Sequence, residues 1–303
     1  MAAVAPRARA KGWIPFREYR TWYRVTGAAD TRRPTVVTVH GGPGSTHDYL
    51  LRTAALSEDG WPVVHYDQLG NGASTHLPDA GADFWTVELF LDELDNLLRR
   101  LGIADNYVLL GQSWGGMLAA RHAADRPAGL RGLVVANSPA SYRLWRQEMD
   151  VLRAALPPEV ERTLRAHEAA GTTDSAEYTD AVQVFNDRHV CRLRPWPKEY
   201  LATTMETAND PTVYHWMNGP SEFHVIGTLK DWSLEDRLPD IAVPTLVISG
   251  AHDEATPVTV RPFNDLVPDV RWEIFEDSSH MPHFEEPERF RATLVEFLKG
   301  LAD

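Results

Sequence analysis

The sequence predicts an α/β fold with a mostly parallel central sheet and helices on both faces. β-branched, apolar runs alternate with helical segments along most of the chain, and a Gly-x-Ser-x-Gly pentapeptide at 111–115 joins one such run to a helix-forming segment. Such alternation favours parallel sheets, because each crossover helix packs on a face of the sheet. A chain of 303 residues suits one large domain with an inserted subdomain.

The strands are predicted from local composition. Segment 18–25 alternates large and polar residues, which predicts an edge strand, and the basic, alanine-rich segment 1–11 predicts a frayed terminus. Apolar and β-branched residues run together, as in buried strands, at 34–39, 61–66, 107–110, 130–136, 241–248 and 269–276. Helices are predicted at 87–101, where leucines recur at helical spacing, and at 287–301.

The segment 141–238 differs from the rest of the chain. It lacks a strong β pattern and contains charged helical stretches such as 144–156 and 159–170. We therefore predict a core formed by residues 1–140 and 239–303, with a helical cap inserted at 141–238.

Charge and cysteine content exclude several function classes. The chain has 43 acidic and 30 basic residues and a net charge of -13, so nucleic acid or an anionic membrane is not expected as a partner. The single cysteine, Cys191, excludes an intrachain disulfide and a cysteine-based metal site. Without a signal-peptide pattern or an 18-residue apolar run, a cytoplasmic protein is predicted. Neither a cofactor nor a metal is expected.

The pentapeptide at 111–115 predicts a nucleophile at Ser113. A strand, a sharp turn and a helix in this order form a nucleophile elbow, which holds its central residue in a strained conformation over the sheet edge. Glycines on both sides let the strand and helix approach closely. The helix start also favours a developing negative charge.

A serine nucleophile needs a base, and the base needs an orienting carboxylate. In elbow-type hydrolases the acid and then the histidine follow the serine, on loops after later strands. Asp253 follows the strand predicted at 241–248, and His280 follows the strand predicted at 269–276. We therefore predict Asp253 as the acid and His280 as the base.

Neighbouring residues offer alternatives to these assignments. Glu254 is the rival acid, and His252 and His283 are the rival bases. His280 and His283 are also spaced as a zinc pair, although the sequence shows no obvious third ligand.

The oxyanion of the tetrahedral intermediate needs hydrogen-bond donors. The N–H of Trp114, the residue after the nucleophile, is one predicted donor. The other is the N–H of Gly42, in a His-Gly-Gly-Pro-Gly run at 40–44 that follows a buried strand.

Four segments resemble the proline iminopeptidases. They are His-Gly-Gly-Pro-Gly at 40–44, Asp-Gln-Leu-Gly at 67–70, Gly-Gln-Ser-Trp-Gly at 111–115 and Ser-Gly-Ala-His-Asp-Glu at 249–254. Within this family, Met-Asn-Gly-Pro-Ser-Glu-Phe at 217–223 is most similar to the tricorn-interacting aminopeptidase and L-amino-acid amidase branch. The resemblance implies an α/β-hydrolase fold with a helical cap, and removal of an N-terminal residue, proline or another apolar residue, from short peptides, or hydrolysis of amino-acid amides.

The resemblance also implies two acidic residues that hold the free α-amine of the substrate. The matching positions are Glu222 in the cap and Glu254 beside the predicted acid, and Tyr214 matches a cap tyrosine near that pocket. An ammonium in a partly dry cleft needs paired charge and hydrogen bonds. Two neighbouring carboxylates repel each other, and the ammonium relieves that repulsion.

This chain departs from the family pattern at two positions. Leu69 stands where the family has arginine, and Asn71 stands where it has cysteine, which leaves the fine substrate preference open. Trp114, Trp216 and Phe223 indicate either an apolar pocket or packing within the cap.

The sequence therefore predicts a serine aminopeptidase or amino-acid amidase whose partner is a small substrate with a free amine. The alternative is an esterase, lactonase or thioesterase that acts on a small acyl substrate without a free amine. A binding protein on a hydrolase scaffold is a third possibility, against which the complete set of predicted catalytic residues argues.

Overall fold

The computed structural model describes residues 6–28 and 32–301, which form one eight-stranded sheet. The strands are β1 (Ala8–Phe16), β2 (Tyr19–Thr26), β3 (Thr35–Val39), β4 (Val63–Asp67), β5 (Tyr107–Gln112), β6 (Leu130–Ala136), β7 (Thr245–Gly250) and β8 (Val270–Phe275). Their spatial order is β1-β2-β4-β3-β5-β6-β7-β8. Strands β3 to β8 run parallel, whereas β2 pairs antiparallel with β1 and β4.

Helices connect and cover these strands. In the part of the chain that is described they are α1 (Val87–Arg100), α2 (Trp114–Ala124), α3 (Tyr142–Ala154), α4 (Pro158–Ala170), α5 (Ala176–His189), α6 (Lys198–Asn209), α7 (Thr212–Met217), α8 (Pro257–Leu266), α9 (Pro282–Glu285) and α10 (Pro287–Gly300). Two further segments, Asp48–Asp59 and Glu235–Asp240, are 3₁₀-helical. None of the described helices has both the length and the apolar character of a membrane span.

The sheet separates two hydrophobic clusters. In β5, Tyr107 and Leu109 belong to a cluster that includes residues of α1 and α2, whereas Val108 and Leu110 belong to a cluster that includes residues of α10. Successive side chains of a strand point to opposite faces, so this alternation means that both faces of the sheet are buried. The predicted α/β fold with helices on both faces is confirmed.

The N-terminal edge of the sheet differs from the prediction. Segment 18–25 does form a strand, but β1 lies outside it, so β2 is the second strand and not the edge. Within β1 only Ile14 and Phe16 are buried, so this strand lacks the apolar pattern that would predict it. Main-chain pairing with β2 stabilises it instead. The predicted frayed terminus is therefore wrong for residues 8–11, and residues 1–5 lie outside the described ranges.

Five helices, α3 to α7, lie between β6 and β7. The chain leaves the sheet after Ala136 and returns to it at Thr245. Between these points the Leu234 N–H donates to the Ala140 carbonyl at 3.0 Å. Helix α6 packs on the 3₁₀ segment Asp48–Asp59, and the hydroxyls of Thr46 and Thr203 are 2.8 Å apart. We retain the division of the chain into core (1–140 and 239–303) and cap (141–238) as a proposal.

A buried ion-pair cluster joins α3 to α4. The Arg153 guanidinium contacts Glu161 at 2.9 Å and Glu168 at 3.0 Å, and its side chain is 6% exposed. Arg153 also stacks over the Phe223 ring at 4.8 Å. A buried guanidinium needs such paired carboxylates, so these contacts link α3 and α4 to the loop after α7.

We predict that Gly115→Ala destabilises the protein strongly, whereas Gly81→Ala does not. A Cβ on Gly115 would lie 2.0 Å from the Val39 carbonyl oxygen, which belongs to the backbone of the central sheet and has no room to move. Overpacking of this kind costs about 3 kcal/mol of unfolding free energy. A Cβ on Gly81 meets no atom within 4 Å, so that variant serves as the control.

Urea denaturation of both variants checks this prediction. A change of no more than ~0.5 kcal/mol is expected for Gly81→Ala, as for other unconstrained surface positions. Equal unfolding free energies for the two variants would contradict the close approach at Gly115.

Candidate active site

Ser113 lies at the turn between β5 and α2, with φ 56° and ψ -129°. A positive φ is unfavourable for a residue with a Cβ, so the surroundings must enforce it. Close packing does so, because a Cβ on Gly111 would lie 2.1 Å from the Gly115 carbonyl oxygen. The turn has the strained conformation and the close strand-to-helix approach that the pentapeptide predicts.

The backbone of Ser113 is held from both sides. Its N–H donates to the Ala136 carbonyl at 2.9 Å, and its carbonyl accepts a hydrogen bond from the Ser138 hydroxyl. Within residues 6–28 and 32–301, the Ser113 hydroxyl itself makes no hydrogen bond and faces a cavity. Hydrogen bonds of catalytic groups often tighten only when substrate binds.

Asp253 and His280 follow β7 and β8, as predicted, and the structure brings them together. His280 Nδ1 lies 2.7 Å from Asp253 Oδ1, and the two side chains are 4% and 0% exposed. An ionised carboxylate can only accept hydrogen bonds, so Nδ1 carries the proton of the neutral imidazole. That tautomer leaves Nε2 as the free acceptor of a residue that lines the same cavity as Ser113.

Asn137 also contacts Asp253, and sequence reasoning missed it. Its Nδ2 donates to Asp253 Oδ2 at 2.6 Å and to the Ser279 carbonyl at 3.3 Å. The Ala255 N–H donates to Asp253 Oδ1 at 2.8 Å, so both carboxylate oxygens are fixed. Asn137 directly follows β6 and has φ 53°, which asparagine tolerates better than most residues. A polar residue directly after a predicted buried strand was the available signal.

The two rival histidines lie elsewhere. His283 packs its ring against Tyr49 and Phe284, and burial lowers the pKa of His283 to about 3. His252 is exposed, and its carbonyl faces the His189 ring at 3.1 Å. Across the described ranges, no three His, Cys, Asp or Glu residues are grouped so that they could hold a metal ion.

The glycine-rich loop at 40–44 lies against both the elbow and α7. A Cβ on Gly41 would lie 2.9 Å from the Ser113 Cβ, and a Cβ on Gly44 would lie 2.9 Å from the Tyr214 Cβ. Gly42 has φ 109° and lines the cavity beside Ser113. Trp114 is the first residue of α2. The first N–H groups of a helix have no acceptor within the helix, so the Trp114 N–H is available to a ligand.

The three aromatic residues considered for an apolar pocket do not line this cavity. The Trp114 indole N–H donates to Gln68 Oε1 at 3.0 Å in the buried core. Phe223 is buried against Phe185, and Trp216 lies on the surface with 39% of its area exposed. The packing interpretation therefore applies to Trp114 and Phe223.

The cavity has a volume of about 410 Å³ and lies between the elbow and the helices α5 to α7. Ser113, His280 and Gly42 line it from the sheet side. The inserted segment contributes Asn186, Val190, Tyr200, Thr203, Thr204, Thr207, Ala208, Pro211, Tyr214, Pro220 and Glu222. A space of this size accommodates a small ligand.

Two carboxylates, Glu222 and Glu254, line this cavity. The Tyr214 hydroxyl donates to Glu222 Oε1 at 2.7 Å. Glu254 is buried, its N–H donates to the His189 carbonyl at 3.1 Å, and its Oε1 lies 3.6 Å from His280 Nε2. Asp253 therefore contacts Nδ1 of the His280 ring, whereas Glu254 lies on the Nε2 side of the same ring.

Burial dominates the electrostatics of this acidic pair. It raises the pKa of Glu254 well above its usual range, and the charges of Glu222 and Asp253 raise it further. Burial also raises the pKa of Glu222, although the hydrogen bond from Tyr214 acts in the opposite direction. The described lining residues include no lysine or arginine. The site therefore favours a cationic ligand.

The chain is similar to known proteins over most of its length. Residues 34–287 match the family model described as alpha/beta hydrolase fold. The proline iminopeptidase of Clostridium botulinum is 35% identical to this chain, and the alignment covers 95% of this chain and 97% of that protein.

Two crystal structures are similar over almost their whole length. VinJ is 67% identical with a TM-score of 0.96, covering 97% of this chain and 100% of that chain. The proline iminopeptidase of Mycobacterium smegmatis is 50% identical with a TM-score of 0.90, covering 97% of this chain and 99% of that chain. The sequence identities and the shared fold lead to one conclusion: the chain belongs to the proline iminopeptidase family of α/β-hydrolases.

Proposed function

We propose that this protein is a serine aminopeptidase or amino-acid amidase that acts on short peptides or amides with a free α-amine. The observation that carries the proposal is the pair of carboxylates, Glu222 and Glu254, in the cavity that Ser113 faces. A neutral acyl substrate would leave this acidic pair without a counter-charge. An ammonium supplies both charge and hydrogen-bond donors.

In the proposed reaction His280 Nε2 removes the proton of the Ser113 hydroxyl, which attacks the substrate carbonyl. Asp253 keeps the imidazole in the required tautomer and stabilises its cationic form. The N–H groups of Gly42 and Trp114 stabilise the oxyanion. His280 then protonates the leaving amine, and water hydrolyses the acyl-enzyme by the same steps.

The amine-binding roles of Glu222, Glu254 and Tyr214 follow from their chemistry. The Tyr214 hydroxyl occupies one lone pair of Glu222 and orients the carboxylate. The raised pKa of Glu254 indicates that its charge is poorly compensated in the protein alone. An ammonium bound there would favour the ionised form, so the pair selects substrates with a free N-terminus.

The proposal includes a cytoplasmic location and no role for nucleic acid or membranes as partners. The net charge of -13 and the single cysteine support it.

We predict that Ser113→Ala lowers turnover by at least ~10³-fold, because it removes the nucleophile. Glu222→Gln should weaken kcat/KM only for substrates whose α-amine is free. The measurement is hydrolysis of Pro-, Ala- and Phe-p-nitroanilides, each with a free and an N-acetylated amine, by wild type and both variants.

Cleavage of the acetylated forms as fast as the free-amine forms would instead support the esterase, lactonase or thioesterase alternative.

A serine-directed phosphonate provides the control for a protein that only binds ligands. It should label Ser113 in wild type and leave Ser113→Ala unlabelled.

We predict that Asn137→Gly lowers kcat about tenfold and leaves KM within about twofold, since a hydrogen bond to a charged group is worth ~1.5–3 kcal/mol. Without Asn137, the Asp253 carboxylate loses the 2.6 Å hydrogen bond that fixes Oδ2. Glycine keeps the positive φ accessible, so backbone strain is not the cause. Asn137→Ala is the matched variant. Its kcat should be similar to that of Asn137→Gly, and its unfolding free energy should be lower than that of Asn137→Gly. An unchanged kcat in Asn137→Gly would refute the orienting role.

We predict that the acidic limb of the kcat/KM profile lies at higher pH than the acidic limb of the kcat profile. As pH falls through the raised pKa of Glu254, the carboxylate is protonated and attracts the ammonium less. Bound ammonium lowers that pKa, so the enzyme–substrate complex loses activity only at lower pH. In Glu254→Gln the acidic limbs of the kcat and kcat/KM profiles should coincide. Coincident limbs in the wild type would count against an ionised Glu254 as the amine site.

A further inference from the structure

We infer that Tyr49 is a positioning residue that holds the oxyanion loop, the nucleophile elbow and the base in their mutual arrangement, an inference that rests on the proposed function. Tyr49 lies in the first turn of the 3₁₀ segment Asp48–Asp59, shortly after the glycine-rich loop at 40–44. Its side chain is 2% exposed and lines the cavity.

One hydroxyl connects three loops. The Gly41 N–H donates to the Tyr49 hydroxyl at 2.7 Å, and this hydroxyl donates to Gln112 Oε1 at 2.6 Å. Gln112 Nε2 in turn donates to the His280 carbonyl at 3.0 Å. Gly41 precedes the proposed oxyanion donor, Gln112 precedes the nucleophile, and His280 is the base itself. The chain of hydrogen bonds therefore touches each catalytic element at its backbone or at the adjoining residue.

The direction of this chain follows from its two ends. The Gly41 N–H can only donate, and the His280 carbonyl can only accept. The amide of Gln112 must therefore present Nε2 to His280 and Oε1 to Tyr49. The phenol gives its single proton to Oε1 and receives the Gly41 N–H on a lone pair. Burial also raises the pKa of the Tyr49 phenol far above its usual range, so the proton stays in place.

The backbone of Gly41 determines the orientation of the Gly42 N–H. The Gly41 carbonyl lies 3.0 Å from His40 Nδ1, and the Gly41 N–H is held by Tyr49. In a trans peptide the N–H of Gly42 points away from the Gly41 carbonyl. Fixing both polar groups of Gly41 thus fixes the proposed oxyanion donor. Only a glycine fits there, because a Cβ on Gly41 would lie 2.9 Å from the Ser113 Cβ and 3.0 Å from the Tyr49 hydroxyl.

Loss of the phenol hydroxyl should affect the transition state more than the ground state. The oxyanion forms only during the reaction, and a preorganised donor is worth most at that stage. The proposed amine site uses Glu222 and Glu254, which make no hydrogen bond with Tyr49 among the described contacts. The Tyr49 hydroxyl should therefore contribute to kcat and not to KM.

The test compares Tyr49→Phe with Tyr66→Phe. Tyr66 is also fully buried, but its hydroxyl has no hydrogen-bond partner within the described ranges, so it is a matched control. Tyr49→Phe should lower kcat about tenfold, less than the ~10²-fold loss of an oxyanion donor itself, with KM within twofold. Tyr66→Phe should leave kcat and KM within twofold of wild type.

Inhibitor binding separates positioning from general damage. An α-aminoboronic acid forms a tetrahedral adduct with a serine nucleophile, whereas a simple alkylamine, which has no carboxylate, tests the amine site alone. Tyr49→Phe should weaken binding of the boronic acid about tenfold and leave binding of the alkylamine unchanged. A kcat within twofold of wild type, or equal loss of both inhibitors, would overturn the inference.

Gln112→Leu provides a second route that does not require Tyr49→Phe to fold. It interrupts the same chain, so its kcat should fall by a similar factor, and the double variant should be little worse than either single variant. Fully additive losses would mean that the two residues act separately, against the inference. Free-amine and N-acetylated substrates are both assayed, so that loss of amine selectivity, which concerns the proposed function, is distinguished from loss of the Tyr49 effect.

Discussion

The close approach of β3, β5 and α2 is the constraint on which the rest of the site depends. Ser113 holds a positive φ only because Gly111 and Gly115 let α2 begin directly against the sheet. Such a conformation stores ~1–3 kcal/mol of strain, which the surrounding structure must sustain. The buried strands on either side supply that rigidity, and the hydrogen bond from the Ser113 N–H to Ala136 ties the turn to β6.

The acidic pair, Glu222 and Glu254, is a second constraint, and it destabilises the empty site. The elbow is stabilised by its own surroundings, whereas the carboxylates of Glu222 and Glu254 raise each other's energy inside a cavity without a lysine or arginine among its described lining residues. On the proposed function, substrate binding resolves this conflict. The same burial that makes the empty site unfavourable makes an ammonium strongly attractive, so selectivity and instability have one physical origin.

The sheet and the elbow were predictable because the information for them is local. β-branched runs indicate strands, and Asp253 and His280 each follow such a run. By contrast, β1 has no apolar alternation and depends on pairing with β2. Asn137 and Tyr49 act through hydrogen bonds to residues far away in the chain, for which the sequence contains no spacing rule. The position of Asn137 directly after a predicted strand was a sequence signal, but its partner and that of Tyr49 are seen only in the three-dimensional structure.

The hydrogen bond between Ala140 and Leu234 has an evolutionary consequence. It joins the segment just before α3 to the segment that follows α7, so the two connections between the core and these helices lie side by side. The entropy of closing a loop grows only slowly with its length, so insertions of very different size are compatible with the same two connections. Relatives can therefore exchange or remodel these helices, and with them the walls of the cavity, while Ser113, Asp253 and His280 keep their places on the sheet.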